Sequence, residues 1–268
     1  MNFAERYGPW ALITGASEGT GAEFARQLAT KGLNLILIAR REGPLAALAA
    51  EIEAAHGVAC VTAPVDLTAA DAVQKIAKAA RNREVGLVIA NAGADTNGAL
   101  FLDTDLAHWN ALVTMNVTTA MGLAHHFGQG MRARRRGGLI LVNSGACYGG
   151  LAGISVYSAA KGFVLNMAEA LWAEWRHHGV DVLTLVMGRT DTPAHRRLME
   201  RNGQPIPDGM ASAADVAALG LERLPHGPIA NWGQDDDTAG MAPTSPATRR
   251  ERILMIERAS AAYAGQKA

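Results

Sequence analysis

Short apolar runs, each about as long as a buried strand, alternate along the chain with longer segments in which apolar residues recur at helical spacing. The runs hold few polar residues, which is typical of strands covered on both faces. Regular alternation of this kind indicates parallel strands joined by right-handed helical crossovers. We therefore predict an α/β fold with a doubly wound parallel sheet of Rossmann type, and a ligand site at the carboxyl ends of the strands. The predicted strands are 10–14, 33–39, 58–65, 85–90, 138–143 and 180–186, and the predicted helices are 23–31, 45–55, 69–80, 106–131 and 157–177.

Length and composition favour one globular unit. The chain has 268 residues, of which 49% are hydrophobic and 19% charged, so it can bury a core and is not intrinsically disordered. We predict a single domain over residues 1–268. Within it, the Pro- and Gly-containing segment 190–210 is predicted to be a substrate-binding lid loop with a short helix at 194–201. Residues 231–268 are predicted to form an atypical C-terminal extension with a last helix at 247–264.

Several classes of function are disfavoured by charge and residue usage. Lys and Arg together number 25, as do Asp and Glu, so a zero net charge gives no electrostatic basis for binding nucleic acid or an anionic membrane. Two cysteines, Cys60 and Cys147, make no disulfide framework and cannot complete a four-ligand zinc site, so no metal is predicted. The longest apolar run, 33–39, is too short to span a bilayer, and the start shows no signal-peptide pattern. We predict a cytoplasmic protein.

A glycine-rich turn follows the first predicted strand. Gly15, Gly19 and Gly21 have the spacing G-x-x-x-G-x-G and stand between a strand and an amphipathic helix. Glycine lets the backbone turn tightly and approach a pyrophosphate, which the free N–H groups of the following helix can bind. The alternative interpretation is an ordinary strand-to-helix turn.

The end of the second predicted strand bears on the choice of dinucleotide. An acidic residue there would accept a hydrogen bond from the ribose 2′-OH of NAD, whereas this chain has Arg40 and Arg41, which suit a 2′-phosphate. We therefore favour NADP(H) over NAD(H), with a solvated basic helix start as the alternative. Glu18 complicates this prediction, because its carboxylate could repel the phosphate, point outward, or stabilise the helix dipole.

Tyr157 and Lys161 stand at i and i+4 of a predicted helix and so share one face. A phenol has a pKa near 10, and bringing that pKa toward neutrality takes about 3–4 kcal/mol, which a nearby ammonium in a partly desolvated site can supply. A stacked surface pair is the alternative. Ser144 follows a strand, where its hydroxyl could bind a substrate carbonyl. Asn116 lies within a predicted helix, where it could hold a local distortion or a water.

The order and spacing of these groups resemble those of the short-chain dehydrogenases/reductases. The resemblance covers residues 7–192, most of the chain, and the joint pattern is specific because all of its motifs occur together. The segments that carry it are Thr14–Gly21, Asn91-Ala92-Gly93, Asn116, Ser144, and Tyr157 with Lys161.

The resemblance implies a role for each of these residues. Tyr157 would be the catalytic acid/base, and Lys161 would lower its pKa and bind the nicotinamide ribose. Ser144 would orient the substrate carbonyl, and Asn116 would hold a water in a proton relay. The other residues predicted to bind the dinucleotide are Gly15, Ser17, Glu18, Gly19, Thr20, Gly21, Arg40, Asp66, Leu67, Asn91, Ala92, Gly93, Gly188, Thr190 and Thr192.

From these residues we expect an NADP(H)-dependent oxidoreductase that interconverts a ketone and a secondary alcohol, with Tyr157 as acid/base. The alternatives are an NAD-dependent alcohol dehydrogenase and a non-catalytic dinucleotide-binding sensor. The opening segment 7–15 looks more like the hydroxysteroid and ketoacyl reductase branch, whereas Met187 replaces a proline that the family often has before Gly188. A bulky apolar substrate is predicted from the candidate pocket residues Tyr148, Leu151, Ile154, Met187, Leu198 and Met199.

By analogy with the family, the protein is expected to be a homodimer or homotetramer. The interface is predicted on the long helices 106–131 and 157–177. Small and apolar residues in the second helix, namely Ala168, Leu171 and Trp172, are compatible with such packing.

Overall fold

The computed structural model describes residues 1–93, 98–150, 152–201, 203, 205–206, 208–232, 250–251 and 254. The strands are β1 (Trp10–Thr14), β2 (Asn34–Ala39), β3 (Cys60–Pro64), β4 (Val85–Ala90), β5 (Gly137–Ser144), β6 (Val180–Met187), β7 (Thr190–Asp191), β8 (Ala211–Ser212) and β9 (Ile229–Asn231). The helices are α1 (Phe3–Tyr7), α2 (Gly19–Thr30), α3 (Glu42–His56), α4 (Ala72–Ala80), α5 (Leu106–Val113), α6 (Thr119–Arg134), α7 (Ser155–Trp175), α8 (Pro193–Arg201) and α9 (Ala213–Arg223).

Within the described residues, seven strands form one sheet in the order β3-β2-β1-β4-β5-β6-β9. Every neighbouring pair in this sheet is parallel. The order reverses direction at β1, so the connections after β1 and after β4 leave the sheet toward opposite sides. The predicted doubly wound parallel sheet is confirmed, and its carboxyl edge gathers the loops that follow β1, β2, β4, β5 and β6.

Two apolar layers cover the sheet because alternate side chains of each strand point to opposite faces. On one face, Leu35 and Leu37 of β2 pack in a cluster with residues of α2, α3 and α9. On the other face, Ile36 and Ile38 join a cluster with residues of α4, α6 and α7. The continuous apolar runs in the sequence therefore reflect burial on both faces.

The long helix predicted at 106–131 is not continuous. A π turn over Thr114–Thr118 separates α5 from α6. The turn is rich in β-branched residues, which lose side-chain freedom in a helix, and the Asn116 side chain donates to the carbonyl of Leu112 at 3.0 Å. A single π turn inside a helix is an insertion that often lies at a functional site, and here it is the local distortion expected at Asn116.

The segment predicted as an irregular loop at 190–210 has regular structure at its base. Strands β7 and β8 pair in parallel, with Thr190 opposite Ala211, and thereby join the two ends of the segment. Helix α8 lies between them, close to the short helix predicted at 194–201. Helices α1 and α9 and strand β9 were not predicted. The last predicted helix and most of the predicted C-terminal extension lie outside the described residues.

Two of the three residues predicted at an interface on the second long helix need correction, whereas the third, Leu171, is half-buried. Ala168 is fully buried and Trp172 is 6% exposed, and both pack in the core of this chain. They therefore cannot present a surface to a second copy. The large apolar side chains that α5, α6 and α7 do expose are Leu106, Val113, Met121 and Phe163.

Candidate active site

The carboxyl ends of β1 and β4 are joined by side-chain hydrogen bonds. The hydroxyl of Thr14, which ends β1, accepts from the backbone N–H groups of Asn91 at 3.1 Å and Ala92 at 3.2 Å. The Asn91 side chain in turn donates to the Thr14 carbonyl at 3.0 Å. These bonds fix the turn 91–93 beside the glycine-rich turn, so the two segments form one floor at the edge of the sheet.

The glycine-rich turn requires glycine for conformation and for space. Gly15 has φ +68°, in the left-handed region that favours glycine, and an added Cβ would lie 2.9 Å from the Asn91 amide nitrogen. A Cβ on Gly21 would collide with the carbonyl oxygen of Gly15. The backbone turn can therefore close only without side chains at these positions.

The start of α2 offers unsatisfied donors above this turn. No side chain caps the helix, and the Thr20 hydroxyl is buried with no hydrogen-bond partner among the described residues. Free N–H groups at a helix start and an orphan hydroxyl are the groups that a pyrophosphate can satisfy. The residues present thus fit the phosphates of a dinucleotide.

Arg40 and Asp66 lie at the ends of neighbouring strands. Arg40 follows β2, is exposed, and has no carboxylate within ion-pair distance in the part of the chain that the structure describes. The pKa of Asp66 is lowered, chiefly by hydrogen bonds from the backbone N–H and the hydroxyl of Thr68, with a smaller effect of the Arg40 charge. Leu67 is buried in the core, and its carbonyl accepts from Thr119, so little of its side chain faces a ligand.

Glu18 is paired with two arginines, which the sequence alternatives did not include. It makes no side-chain cap to α2 and instead accepts hydrogen bonds from Arg41 at 2.7 Å and from Arg197 of α8. Partial burial raises its pKa, but the hydrogen bonds and charges of the two arginines outweigh burial and leave the pKa below its usual value. Glu18 is therefore ionised at neutral pH and links the phosphate turn to α8.

Lys161 is the most unusual group at this edge, because its ammonium is buried. The residue is 3% exposed, and its Nζ donates to the Val142 carbonyl of β5 at 3.2 Å. Burial lowers its pKa to about 8. The Nζ also lies 5.5 Å from the ring centroid of Tyr157, one turn earlier on α7, within the range of a cation–π contact. The i, i+4 spacing does place the two groups on one face, as predicted.

Asn116 and Gly93 complete the surroundings of this ammonium. A Cβ added at Gly93 would lie 2.5 Å from Oδ1 of Asn116 and 3.1 Å from Nζ of Lys161, so both polar atoms converge on the same backbone position. The Asn116 side chain is buried, and its Oδ1 has no partner among the described residues. An orphan acceptor beside a buried ammonium fits a bridging water.

Ser144 ends β5 and lies beside the start of α7. Its hydroxyl accepts from the Ala146 backbone N–H at 3.3 Å, which forms the turn 145–148 that packs against α7. This packing brings Ser144 to the same region as Tyr157 and Lys161. The predicted catalytic residues are thus gathered at one edge of the sheet by β5, α7 and the π turn.

Asn143 is a positioning residue that motif spacing did not reveal. It is 1% exposed, and its amide donates to the Lys161 carbonyl at 3.2 Å and to the Thr184 hydroxyl at 3.3 Å, while its oxygen accepts from the Ser144 N–H at 2.9 Å. It therefore ties α7 to β5 and β6 at the level of the ammonium. The only signal in the sequence is an Asn in a strand, which is a poor strand former.

The segment after β6 lies against the phosphate turn. A Cβ on Gly19 would be 3.1 Å from the Thr192 side chain, and the Thr190 hydroxyl donates to the Gly188 carbonyl at 3.3 Å. No atom of a described residue lies within 4 Å of a Cβ built on Gly188, so those residues leave space open there. The predicted cofactor residues of this segment are thus next to those of the glycine-rich turn.

The predicted apolar pocket is only partly formed. Met199 is 7% exposed and therefore contributes to packing rather than to a pocket wall. Tyr148 is half-buried and its hydroxyl donates to the Asn231 side chain at 2.7 Å. Ile154, Met187 and Leu198 are half-buried at this edge, whereas Leu151 lies outside the described residues.

Comparison with known proteins agrees with this geometry. The family model described as short chain dehydrogenase matches residues 9–203. A 7beta-hydroxysteroid dehydrogenase of Collinsella aerofaciens is 34% identical over 200 residues, which cover 72% of this chain and 73% of that protein. A very-long-chain 3-oxoacyl-CoA reductase of Laccaria bicolor is 34% identical over 185 residues, covering 67% of this chain and 54% of the relative.

Solved structures show the same similarity. A structure reported in work on 7beta-hydroxysteroid dehydrogenase stereoselectivity superimposes with a TM-score of 0.80 at 30% identity, covering 87% of this chain and 91% of that chain. A short-chain dehydrogenase from Sphingobium yanoikuyae in complex with NADPH gives a TM-score of 0.78 at 25% identity, covering 95% and 96%.

The chain belongs to the short-chain dehydrogenase family. It is an NAD(P)-dependent oxidoreductase that acts on CH–OH and C=O groups. Among the described residues, no three His, Cys, Asp or Glu side chains lie together as a metal site would require. None of the helices in the described ranges combines the length and the apolar character that a membrane crossing needs.

The buried ammonium should lower the stability of the nucleotide-free protein. Folded Lys161 has a pKa of about 8, whereas the ordinary value is 10.5, so between these pH values the unfolded chain binds more protons and stability rises with pH. Replacing Lys161 by Met removes the buried charge. We expect Lys161→Met to raise the free energy of unfolding at pH 7 by about 2 kcal/mol, and this gain to shrink from pH 8 to 10.

Urea denaturation at pH 7 and at pH 9.5 measures both effects. Lys75→Met, at an exposed lysine on α4, is the control and should change stability little at either pH. A Lys161→Met protein that is less stable than wild type by the same amount at both pH values would contradict the expected cost of the charge.

Proposed function

We propose that this enzyme uses NADP(H) to interconvert a ketone and a secondary alcohol, with Tyr157 as the acid/base. The single observation that carries the proposal is the buried ammonium of Lys161, held beneath the Tyr157 ring and beside the orphan oxygen of Asn116. A purely structural lysine would avoid such burial, because the charge is desolvated and no carboxylate of the described residues pairs with it.

Each of these residues has a distinct part in the proposed reaction. The bound nicotinamide would supply or accept the hydride. Tyr157 would donate its phenolic proton to the carbonyl oxygen during reduction and recover it during oxidation. Lys161, protonated at neutral pH, stabilises the phenolate that results. Ser144 would donate to the carbonyl oxygen and orient it, and Asn116 would hold a water that returns the proton through Lys161.

Loss of the phenol should abolish turnover without loss of nucleotide binding. We expect Tyr157→Phe to lower kcat by about 10²–10⁴-fold, because general acid catalysis contributes that much. NADPH affinity should stay within about threefold, since the ring and the Lys161 ammonium remain. Absorbance of NADPH with a panel of ketones gives the rate, and nucleotide fluorescence gives the affinity.

A matched control removes a tyrosine hydroxyl far from the site. Tyr7 bonds Asp181 and packs against Gly138, where β5 begins, so Tyr7→Phe alters the opposite edge of the sheet. It should keep the rate of the wild type. Unchanged turnover in Tyr157→Phe would refute the proposed proton transfer.

A bulky apolar ketone is the substrate class that we propose. Ile154, Met187 and Leu198 are half-buried apolar residues, and the space at Gly188, which follows Met187, is open as far as the described residues go. Relatives named as hydroxysteroid dehydrogenases and as very-long-chain 3-oxoacyl-CoA reductases support the same class. The ketone panel should therefore include steroid ketones and long-chain 3-oxoacyl thioesters beside small ketones.

For the cofactor we propose NADP(H) over NAD(H), because Arg40 is exposed at the end of β2 with no carboxylate within ion-pair distance among the described residues. We expect Arg40→Ala to weaken NADP⁺ binding about tenfold, which is the loss of one charged hydrogen bond to a 2′-phosphate, and to leave NAD⁺ binding within about twofold. Isothermal titration calorimetry with each nucleotide measures both.

Arg223→Ala is the control for that titration. Arg223 is exposed at the end of α9, next to Leu224, which packs on the start of β5. If Arg40→Ala leaves NADP⁺ affinity untouched, the cofactor proposal is wrong and the NAD-dependent alcohol dehydrogenase becomes the better interpretation. Tight NADP⁺ binding with no turnover on the whole panel would instead favour a dinucleotide sensor.

We also propose that a second copy of this chain covers an apolar groove on α5 and α7. The groove encloses about 470 Å³ and is lined by Phe101, Val113, Val117, Ser155, Val156, Ala159, Ala160 and Phe163. Phe163 is 44% exposed and Phe101 is 52% exposed, and both line this groove, so it presents apolar surface of the kind that often marks an interaction site.

A charge in this groove should prevent self-association. We expect the wild type to sediment as a dimer or tetramer and Phe163→Glu to sediment as the 28.1 kDa chain, because a desolvated carboxylate would cost several kcal/mol at the interface. Thr30→Glu, on the exposed end of α2, should assemble as the wild type does. A wild type that sediments only as a monomer would exclude the proposal.

A further inference from the structure

Glu18 brings together three segments that are far apart in the sequence. It precedes α2 in the glycine-rich turn, Arg41 precedes α3, and Arg197 lies on α8. Each carboxylate oxygen serves one arginine: Oε2 accepts from Arg41 at 2.7 Å, and Oε1 accepts from Arg197. The single carboxylate therefore holds α8 against the turn that would carry the dinucleotide phosphates.

The two arginines keep most of their donors free for a further anion. A guanidinium has five N–H donors, and the bonds to Glu18 are the only ones that Arg41 and Arg197 make within the described residues. Their side chains are 53% and 54% exposed, whereas the Glu18 side chain is 25% exposed. The shielded carboxylate thus orients two cations that still face solvent.

Exposed ion pairs of this kind are weak, so they can exchange partners. Surface pairs contribute about 0–1 kcal/mol, and a doubly charged phosphate attracts a guanidinium more strongly than a single carboxylate does. The start of α8 has a second contact with the same turn, at Thr192 beside Gly19. Thr192 would therefore keep the start of α8 at the turn, while the rest of the helix shifts when Arg197 changes partner.

We propose that Glu18 shares Arg41 and Arg197 with the 2′-phosphate of NADP(H), so that Arg197 makes the position of α8 depend on which dinucleotide is bound. This inference rests on the proposed function, because it needs a dinucleotide at the glycine-rich turn. It adds a specificity-determining residue from α8, which was predicted from the sequence as part of the substrate-binding segment and not of the dinucleotide site. Glu18 would also compete with the 2′-phosphate for the two arginines. Its charge weakens phosphate binding, although its hydrogen bonds hold the arginines in place.

Two variants should change NADP⁺ affinity in opposite directions. Arg197→Gln removes one phosphate ligand, and we expect NADP⁺ to bind five- to tenfold more weakly while NAD⁺ binding stays within twofold. Glu18→Gln removes the competing charge, and we expect NADP⁺ to bind at least threefold more tightly. The matched control is Arg196→Gln, because Arg196 is the neighbouring arginine of α8 and pairs with Asp191 instead.

Hydrogen exchange of α8 tests the link to its position. In the wild type, NADP⁺ should slow exchange of residues 193–201 more than NAD⁺ does at equal saturation, and Arg197→Gln should remove that difference. Arg196→Gln should retain it.

The outcomes separate this inference from the proposed function. If the wild type binds NADP⁺ but Arg197→Gln binds it equally well, or if Arg197→Gln weakens NAD⁺ and NADP⁺ alike, the inference is wrong and the enzyme proposal stands. If Glu18→Gln binds NADP⁺ more weakly, Glu18 is not a competitor and the sharing of arginines is excluded. If the wild type binds neither dinucleotide, the inference and the proposed function both fail.

Discussion

The desolvated ammonium of Lys161 is the constraint on which the rest of the site depends. A charge placed at the edge of the core without a carboxylate lowers stability, and this cost is tolerated only if surrounding dipoles are fixed in place. The Val142 carbonyl and the Tyr157 ring are those partners, and the unpartnered oxygen of Asn116 converges with the ammonium on Gly93. Three features then follow: the π turn that aims Asn116, the side-chain-free backbone at Gly93, and the buried amide of Asn143 that ties α7 to the sheet.

Charged side chains at the same edge of the sheet are more exposed near β1 and β2 than near β5. Around the ends of β1 and β2, the arginines are exposed and their pairs with the half-buried Glu18 are weak, so a ligand can rearrange them. Around β5, one charge is buried and its partners are fixed. A parallel sheet can hold exposed ion pairs and a buried charge at one edge, because all of its strands end there. The helices cover some of the loops at that edge more deeply than others.

The sequence predicted best those elements whose burial is continuous. The strands at 10–14 and 85–90 match β1 and β4 to the residue, since each is a short, mostly apolar run bounded by polar residues or by Gly and Pro. The helix at 106–131 was predicted as one piece because periodicity cannot detect one inserted residue. Strand β9 has only three residues and is defined by its pairing with β6, so its sequence contains no pattern from which it could be predicted. At the site, the spacing of Tyr157 and Lys161 was sufficient to place both on one face. The role of Asn143 instead depends on its hydrogen bonds to Lys161 and Thr184, which are distant in the sequence.

By itself, the sequence determined the class of fold, the family, and which residue types stand at the edge where chemistry occurs, because strand burial, glycine spacing and helical period are local properties of the chain. Only the tertiary structure decided the environment of each group. Burial lowered the pKa of Lys161, and Trp172 and Met199 became buried in the core. Glu18 forms an ion pair with Arg197, which lies 179 positions later in the sequence. These outcomes depend on which segments pack together, and desolvation and long-range charge pairing are set by that packing rather than by neighbours in the chain.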